Sequence, residues 1–236
     1  MLAGSAFGAT RKEVSYKSGD ETVKGVLYTP EGKGPFPGLV VIHEWWGLNH
    51  WVEEQASKLA DQGYVSLAID LYRGKSTADP SEAHELMRGL PEDRAVRDLK
   101  AAVAFLKSRR NVEPAKIGSI GWCMGGGYSL AAAMSEPTLA ATVINYGRLA
   151  TEPESLKRIH AAILGIFGGQ DRGIPVESVH AFEAALKQMD KKVEIHIYPD
   201  AGHGFENPNN KDGYRAADTA DAWQHTVAFL QDNLKK

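Results

Sequence analysis

The stretch Gly121-Trp122-Cys123-Met124-Gly125 decides the predicted fold. An apolar run over residues 116–120 comes before it and indicates a buried strand, and a helical pattern over residues 128–134 follows it. Two glycines that flank one central residue, between a strand and a helix, are typical of a nucleophile elbow, in which a strained backbone exposes the nucleophile at the end of the strand. Cys123 stands where most such enzymes carry serine.

Cys123 in such an elbow lies at the N-terminus of a helix, where free backbone N–H groups and positive potential favour a thiolate and a developing oxyanion. A dinucleotide-binding loop is a second interpretation of the glycines, but its fingerprint requires glycine at position 123. A third interpretation, a buried structural cysteine, stays open at this point because free cysteine is often a small buried hydrophobe. The rest of the chain favours the elbow.

The composition of the 236 residues indicates one globular domain, and a hydrophobic content of 43% is enough for a sizeable core. We expect a disordered N-terminal tail over residues 1–10 and a single domain over residues 11–236. The net charge of −3, with both signs interspersed, and the lack of a long apolar run argue against nucleic acid and membranes as partners.

Cys123 is the single cysteine, which excludes an internal disulfide and any multi-cysteine metal site. The motif at residues 43–46 (His-Glu-Trp-Trp) is not a zinc motif of the HExxH type, because position 47 holds glycine. Residues 1–9 are small and apolar but lack the basic segment of a signal peptide. We expect a monomer or weak homodimer in the cytoplasm, or in the periplasm or outside the cell if residues 1–9 are the remnant of such a peptide.

Strands and helices alternate along most of the chain. Residues 13–17 and 22–29 form a predicted N-terminal antiparallel hairpin. The later predicted strands cover residues 38–43, 64–69, 116–120, 139–146, 161–167 and 193–198, and the predicted helices cover residues 51–61, 80–88, 92–109, 128–134, 178–188 and 216–234. This alternation predicts an α/β fold with a mostly parallel central sheet and helices on both faces.

Four chemically active side chains follow predicted strands: Glu44, Cys123, Asp171 and His203. Ligands of such sheets bind outside the carboxyl ends of the strands, so we expect these side chains to meet at one edge. The chain order of nucleophile, acid and histidine is that of the α/β-hydrolase triad. His203 is expected to transfer protons and to hold Cys123 as a thiolate, and Asp171 is expected to fix the tautomer of His203.

Asp70 and Asp200 compete with Asp171 for the role of the acid. Asp200 lies close to His203 in the sequence, so a role in a turn is a better interpretation of it. Taken alone, Asp171 is also an ordinary turn residue and His203 an ordinary loop histidine. The combination of elbow, chain order and strand ends favours catalysis.

The same residues stand in motifs that resemble those of the dienelactone hydrolase family, a cysteine branch of the α/β-hydrolases. These motifs are residues 43–49 (His-Glu-Trp-Trp-Gly-Leu-Asn), 121–126 (Gly-Trp-Cys-Met-Gly-Gly), 168–171 (Gly-Gly-Gln-Asp) and 201–205 (Ala-Gly-His-Gly-Phe). The resemblance covers nearly the whole chain. It implies an α/β-hydrolase fold that cleaves a small carboxylic ester or lactone and needs neither a metal nor an organic cofactor.

The resemblance also implies roles for further residues. Glu44 would contact the cysteine in the resting enzyme and take its proton when substrate arrives. The backbone N–H groups of Met124 and Trp45 would form the oxyanion hole. Tyr146 matches a tyrosine that lies beside the substrate in the family. From the residue types themselves, we expect Tyr146, Trp46 and Phe205, with Trp45, to line an apolar pocket for a neutral ester or lactone.

Two arginines hold the substrate carboxylate in the dienelactone-cleaving members, and the matching positions here are Pro80 and Asn207. Neither side chain replaces an arginine fork, which binds a carboxylate in bidentate fashion. Arg73, Arg88 and Arg148 remain candidates to substitute for it. We therefore expect a neutral ester or lactone to be preferred over dienelactone itself.

The sequence thus predicts an ester or lactone hydrolase that forms a covalent acyl-enzyme on Cys123. Two other functions stay open. In the first, the chain is a catalytically silent binding protein of hydrolase fold and Cys123 is inert. In the second, Cys123 is a thiol redox sensor, whose disulfide would have to be intermolecular because the chain has no second cysteine.

Overall fold

One mixed sheet of eight strands forms the centre of the protein, of which the computed structural model describes residues 8–236. Each strand predicted from the sequence is present, with bounds that differ by a few residues. Numbered along the chain, the strands are β1 (Thr10–Ser18), β2 (Glu21–Thr29), β3 (Phe36–Ile42), β4 (Val65–Ile69), β5 (Val112–Trp122), β6 (Ala141–Asn145), β7 (Ala162–Gly168) and β8 (Val193–Tyr198).

Seven helices connect these strands in the described part of the chain. Six of them were predicted, and the seventh, α5, is a single turn in a segment that the sequence analysis interpreted as a loop. The helices are α1 (His50–Asp61), α2 (Pro80–Arg88), α3 (Glu92–Lys107), α4 (Met124–Ser135), α5 (Pro153–Leu156), α6 (Val176–Gln188) and α7 (Ala216–Leu234).

The strand order in the sheet is β1-β2-β4-β3-β5-β6-β7-β8. β1 pairs with β2 and β2 with β4 in antiparallel fashion, whereas all pairs from β4 and β3 through to β8 are parallel. The predicted α/β fold, with a mostly parallel sheet and an N-terminal hairpin, is confirmed. Its carboxyl edge collects the ends of β3, β5, β7 and β8.

Helices cover both faces of the sheet. On one face, α3, α4 and α6 contribute to a hydrophobic cluster that contains Val40 and Ile42 of β3. On the other face, α1 and α7 contribute to a second cluster, which contains Leu39 and Val41. Successive residues of a strand point to opposite faces, so β3 must be apolar along its length to serve both clusters.

An asparagine caps the N-terminus of α1. Asn49 has an extended backbone, and its side-chain oxygen accepts the N–H of Val52 at 3.2 Å. Gly63, with a φ of 87°, follows the helix and lets the chain turn into β4. The cap fixes where the segment after β3 ends, and this segment forms one wall of the site described below.

The beginning of the domain differs from the prediction of a disordered tail over residues 1–10. Residues 1–7 lie outside the described residues. Thr10 is the first residue of β1, where it pairs with Thr29, and so the prediction is wrong at this position. The antiparallel partner strand supplies the backbone hydrogen bonds that hold it. No described helix is both long and apolar enough to cross a lipid bilayer.

Candidate active site

The nucleophile elbow predicted from the sequence has the expected backbone. β5 ends at Trp122 and α4 begins at Met124, so Cys123 is the single residue between strand and helix. Its φ of 56° and ψ of −119° lie in a region that L-residues rarely adopt, at a cost of roughly 1–3 kcal/mol. A Cβ at Gly121 would overlap the carbonyl oxygen of Gly125, which explains why the turn needs a glycine there.

Glu44 reaches the same edge of the sheet because β3 and β5 are parallel neighbours. Ile42 pairs with Gly121 in their register, and Trp45 and Met124 each follow three residues after that pair. The N–H of Met124 has no acceptor within its own helix, because it belongs to the first turn. The use of these two N–H groups as an oxyanion hole stays a prediction.

His203 and Asp171 form a hydrogen-bonded pair. Nδ1 of His203 lies 2.7 Å from Oδ2 of Asp171, and the other carboxylate oxygen accepts the backbone N–H groups of Gly173 (2.8 Å) and Ile174 (3.1 Å). Burial opposes the ionisation of Asp171, but these hydrogen bonds outweigh it and lower the pKa of the carboxyl. Because the charged Asp171 engages Nδ1, Nε2 of His203 is the nitrogen that can exchange protons with a substrate.

The two competing acids have other roles. Asp70 accepts the backbone N–H groups of Tyr72 (2.9 Å) and Gly74, and so closes the turn that follows β4. Asp200 is exposed in the turn after β8. Asp171 is therefore the carboxylate that orients the histidine.

His43 fixes the backbone of its neighbour Glu44. Its ring is fully buried, and Nε2 accepts the N–H of Leu71 at 3.2 Å. Nδ1 therefore carries the proton and donates it to the carbonyl oxygen of Glu44 at 2.6 Å. Burial lowers the pKa of His43, so the ring stays neutral and acts as a structural brace between the ends of β3 and β4.

His203 shares a cleft with Cys123 and Glu44, as expected from the strand ends. Burial lowers the pKa of His203, but its hydrogen bond with Asp171 and its interactions with Cys123 act more strongly and raise it to about 10. The imidazole of His203 therefore carries both protons at neutral pH. In that state it can donate a proton but cannot accept one.

Glu44 is held by a residue whose role the sequence did not reveal. Its carboxylate is 3% exposed, and Oε2 accepts the side-chain N–H of Asn207 at 2.6 Å. The side-chain oxygen of Asn207 in turn accepts the backbone N–H of Asn209 at 2.9 Å, which fixes the orientation of the amide. Burial raises the pKa of Glu44 to about 7, although Asn207 and His203 act against it. Glu44 can therefore exchange a proton near neutral pH.

Glu206 is a second buried carboxyl that sequence reasoning missed. Its Oε2 accepts the indole N–H of Trp122 at 3.1 Å, directly before Cys123 in the chain. Burial and the charge of Glu44 raise the pKa of Glu206 to about 8, and the hydrogen bond from Trp122 acts against this rise. Glu206 is thus mostly protonated at neutral pH. Its hydrogen bond with Trp122 connects the loop that contains His203 to the elbow.

The cleft lined by Glu44, Cys123 and His203 has a volume of about 1100 Å³. Its walls combine aromatic and polar side chains, with Lys211 and Asp212 at one side. Trp46 lines it as predicted, together with Trp45, Trp51, Asn49, Asn209 and Asn210. A smaller cavity of about 280 Å³ beside the hairpin contains none of the four candidate catalytic residues.

Tyr146 and Phe205 do not line the cleft, contrary to the expectation that both lie beside the substrate. Both side chains are fully buried. The ring of Tyr146 packs edge-on against His203 at 5.2 Å and against Phe205 at 5.7 Å, measured between ring centroids. Tyr146 thus packs against the imidazole of His203, and Phe205 packs behind Tyr146.

Arginine side chains do not replace the missing fork within residues 8–236. Arg73 pairs with Glu21 at 2.6 Å and with Asp98 at 2.7 Å. Neither Arg73 nor Arg88 nor Arg148 lines the cleft, whereas Lys211 does. Asn207 occupies one of the two expected arginine positions, and its amide is already engaged by Glu44.

Comparison with known proteins identifies relatives over nearly the whole chain. The sequence model of the dienelactone hydrolase family matches residues 23–234. A curated relative from Methylorubrum extorquens, named "Putative carboxymethylenebutenolidase", is 30% identical over 98% of this chain and 82% of its own length.

Solved structures of similar proteins agree with the fold. A protein described as "Putative Dienelactone Hydrolase" from Klebsiella pneumoniae subsp. pneumoniae is 26% identical, with a TM-score of 0.86 over 95% of this chain and 99% of its own. The dienelactone hydrolase-like promiscuous phosphotriesterase P91, from metagenomic libraries, is also 26% identical, with a TM-score of 0.89 over 96% of this chain and 99% of its own.

Proposed function

Because the chain belongs to the dienelactone hydrolase family and is a carboxylic ester hydrolase of that family, we propose that it cleaves its ester or lactone through Cys123, His203 and Asp171, with a covalent acyl-enzyme on the cysteine. The observation that carries this proposal is the 2.7 Å hydrogen bond between His203 and Asp171 at the cleft that also holds Cys123 and Glu44. In this proposal Cys123 is the nucleophile, His203 the proton donor and Asp171 the orienting acid, which are the three roles that acyl transfer requires.

Glu44 is the base that activates the thiol. The hydrogen bond with Asp171 favours the doubly protonated imidazole of His203, which then has no lone pair left to accept the thiol proton. Glu44, with a pKa of about 7, can accept the proton that Cys123 loses when substrate enters. The thiolate then attacks the carbonyl carbon, and the negative charge moves to the carbonyl oxygen.

The second half of the reaction uses the proton of His203. The oxyanion is stabilised by the N–H groups of Met124 and Trp45, and the charge returns to expel the alkoxide. Nε2 of His203 gives its proton to that alkoxide, which remains attached to the acyl group if the substrate is a lactone. His203 is now a base, so it takes a proton from water, and the hydroxide attacks the thioester carbonyl and expels the thiolate of Cys123. The thiolate takes back the proton that Glu44 held, which restores the resting enzyme.

A neutral ester or lactone is the substrate class that the cleft favours. Its walls offer tryptophan rings and asparagine amides, and Lys211 is balanced by the adjacent Asp212. A bidentate site for a carboxylate is not formed, because the amide of Asn207 is engaged by Glu44. A single lysine lacks the planar fork that such recognition needs.

Turnover of a dienelactone and of a short p-nitrophenyl ester, measured side by side, tests the proposal. We expect the neutral ester to have the higher kcat/KM and the Cys123→Ala variant to be inactive on both. His180→Ala, a change of an exposed histidine on α6, is the matched control for His203 variants. Wild-type turnover by Cys123→Ala would contradict the nucleophile, and a strong preference for the dienelactone would contradict the substrate class.

Mass spectrometry of the His203→Asn variant tests the acyl-enzyme directly. A p-nitrophenolate leaves without a proton, so acylation of Cys123 can still proceed, whereas the water step lacks its base. We therefore expect the variant to accumulate one acetyl group on Cys123 after mixing with p-nitrophenyl acetate. If Cys123 is unmodified while p-nitrophenol is released, hydrolysis does not pass through this cysteine.

A further inference from the structure

We propose that Glu194, His196 and His225 form a binding site for a zinc ion on the surface of the protein, separate from the catalytic cleft. One donor atom from each of the three side chains lies within 4.8 Å of the other two. None of the three lines the cleft. Two imidazoles and one carboxylate suit zinc, whereas magnesium and calcium prefer oxygen ligands alone.

Two elements of secondary structure bring the ligands together. Glu194 and His196 are two residues apart on β8 and therefore lie on the same face of this edge strand. The same face carries Tyr198, which packs with the residues of α7 in the second hydrophobic cluster. His225 comes from α7, so an ion bound here would connect the edge of the sheet to the C-terminal helix.

The observed distances bracket those of a coordinated ion. Oε1 of Glu194 lies 2.6 Å from Nε2 of His196 and 3.8 Å from Nδ1 of His225. A tetrahedral zinc ion with bonds of about 2.0–2.2 Å holds neighbouring donor atoms about 3.4 Å apart. A water molecule would complete the coordination, since both histidines are partly exposed.

The two imidazole rings lie one over the other. Their centroids are 3.7 Å apart with an angle of 30° between the planes. Two imidazolium ions at this distance would repel each other, which favours neutral rings. A bound zinc ion lies in the plane of each ligating ring, so binding requires one of the two partly exposed imidazoles to rotate out of the stack. The nearby carboxylate of Glu194 supplies the negative charge that such an ion needs.

Asp221 provides the outer support that metal-binding histidines usually have. Its Oδ2 lies 3.4 Å from Nε2 of His225 and also accepts the hydroxyl of Tyr198 at 2.8 Å. At this distance the carboxylate of Asp221 favours a proton on Nε2 of His225, which would leave Nδ1 free to bind the ion. This arrangement distinguishes the cluster from His180 and Glu183, a pair on α6 whose atoms lie 4.0 Å apart.

Zinc titration by calorimetry tests the site in the full chain after removal of metals with a chelator. We expect His196→Ala and His225→Ala to weaken the binding of one zinc ion at least tenfold, and His180→Ala to leave it unchanged. His196→Gln and His225→Gln keep the side-chain volume and should show the same loss. Asp221→Asn should weaken zinc by about 10- to 100-fold, as outer partners of metal ligands do.

Thermal unfolding gives a second readout, because a ligand of the native state raises its stability. The Tm of the wild type should rise with zinc concentration, and that of His225→Gln should not. Cys123→Ser identifies any zinc held in the catalytic cleft, and its binding at the surface should equal that of the wild type. Equal zinc affinity in the wild type and both histidine variants, or no binding at millimolar zinc, would overturn the proposal.

Discussion

Replacement of Asn207 by leucine should move the pH dependence of hydrolysis without removing any group that reacts with substrate. Asn207 donates to Oε2 of Glu44 at 2.6 Å, and both residues are 3% exposed. Leucine fills a similar volume but has no donor. The carboxylate of Glu44 would then stay buried without its hydrogen bond, which favours its protonated form.

The size of the shift follows from the strength of that bond. A hydrogen bond to a charged group contributes roughly 1.5–3 kcal/mol, which corresponds to a rise of about one to two units in the pKa of Glu44. The wild-type pKa is about 7, so half of Glu44 is ionised at pH 7. In Asn207→Leu that fraction falls to about one tenth or less, and kcat/KM at pH 7 should fall by about 5- to 50-fold.

The assay is kcat/KM for a p-nitrophenyl ester from pH 5 to 9. Because a base must be ionised to act, a raised pKa moves the acid limb of the profile to higher pH, and the variant should approach the wild type near pH 9. Asn207→Asp keeps the acceptor for the N–H of Asn209 but places a second carboxyl against Glu44, so its acid limb should move further. Asn209→Ala, on the same wall, is the control.

An acid limb at the wild-type pH in Asn207→Leu would refute the reasoning. Such a result would mean that the ionisation of Glu44 does not limit the attack of Cys123. A uniform loss of kcat/KM at every pH would also contradict it, because this would indicate distortion of the cleft and not a titration. The Asp variant separates the two outcomes, since only the titration depends on the charge beside Glu44.

Three further predictions concern the acid, the buried carboxyl and the helix cap. Asp171→Asn should lower kcat by about 10³- to 10⁴-fold in the ester assay, because it loses the charge that orients His203 and stabilises its protonated form; near-wild-type turnover would contradict the triad. Glu206 has a folded pKa of about 8, raised from the usual value near 4.5, so its contribution to stability is complete below about pH 4.5 and is lost as the pH rises through 8. Glu206→Gln should therefore resist urea better than the wild type at pH 9 but not at pH 5, and equal urea midpoints at both pH values would contradict this. Asn49→Ala should cost about 1 kcal/mol of stability in urea unfolding, with no change expected if the cap at α1 is dispensable.

The fold was largely predictable because its signals are local. The apolar run that becomes β3 contributes to two hydrophobic clusters. The backbone around Cys123 leaves no room for a Cβ at the neighbouring glycines, so these glycines mark the elbow in the sequence. Turn chemistry and strand length fixed most element bounds. The single turn α5 was missed, since four residues carry no helical period. Thr10 was missed because a polar strand at a sheet edge is recognised through its partner, not its own sequence.

The candidate site was predictable where a residue follows a strand and not where it acts through a distant contact. Glu44 and Cys123 lie beside their strands, so their position follows from the parallel register. Asn207 binds a residue 163 positions away, and Glu206 binds one 84 positions away. Neither contact leaves a spacing or a periodic pattern in the sequence. The prediction that Phe205 lies beside the substrate was wrong for a related reason, because an aromatic residue in such a loop can face either the cleft or the core.

One short segment, residues 203–207, connects all the ionisable groups of the site. His203 lies at its beginning, Asn207 at its end holds Glu44, and Glu206 between them is bonded to Trp122 next to the nucleophile. The charge of Glu44 raises the pKa of Glu206, and the proximity of His203 lowers that of Glu44. Transfer of a proton from Cys123 to Glu44 removes the negative charge of Glu44. The pKa of Glu206 would therefore fall, and Glu206 would lose its proton more easily. Glu206 gains charge as the pH rises through 8, in the upper part of the Glu44 titration. Glu206→Gln removes that charge and should displace the acid limb to a lower pH, and an unchanged acid limb in the ester assay would contradict this coupling.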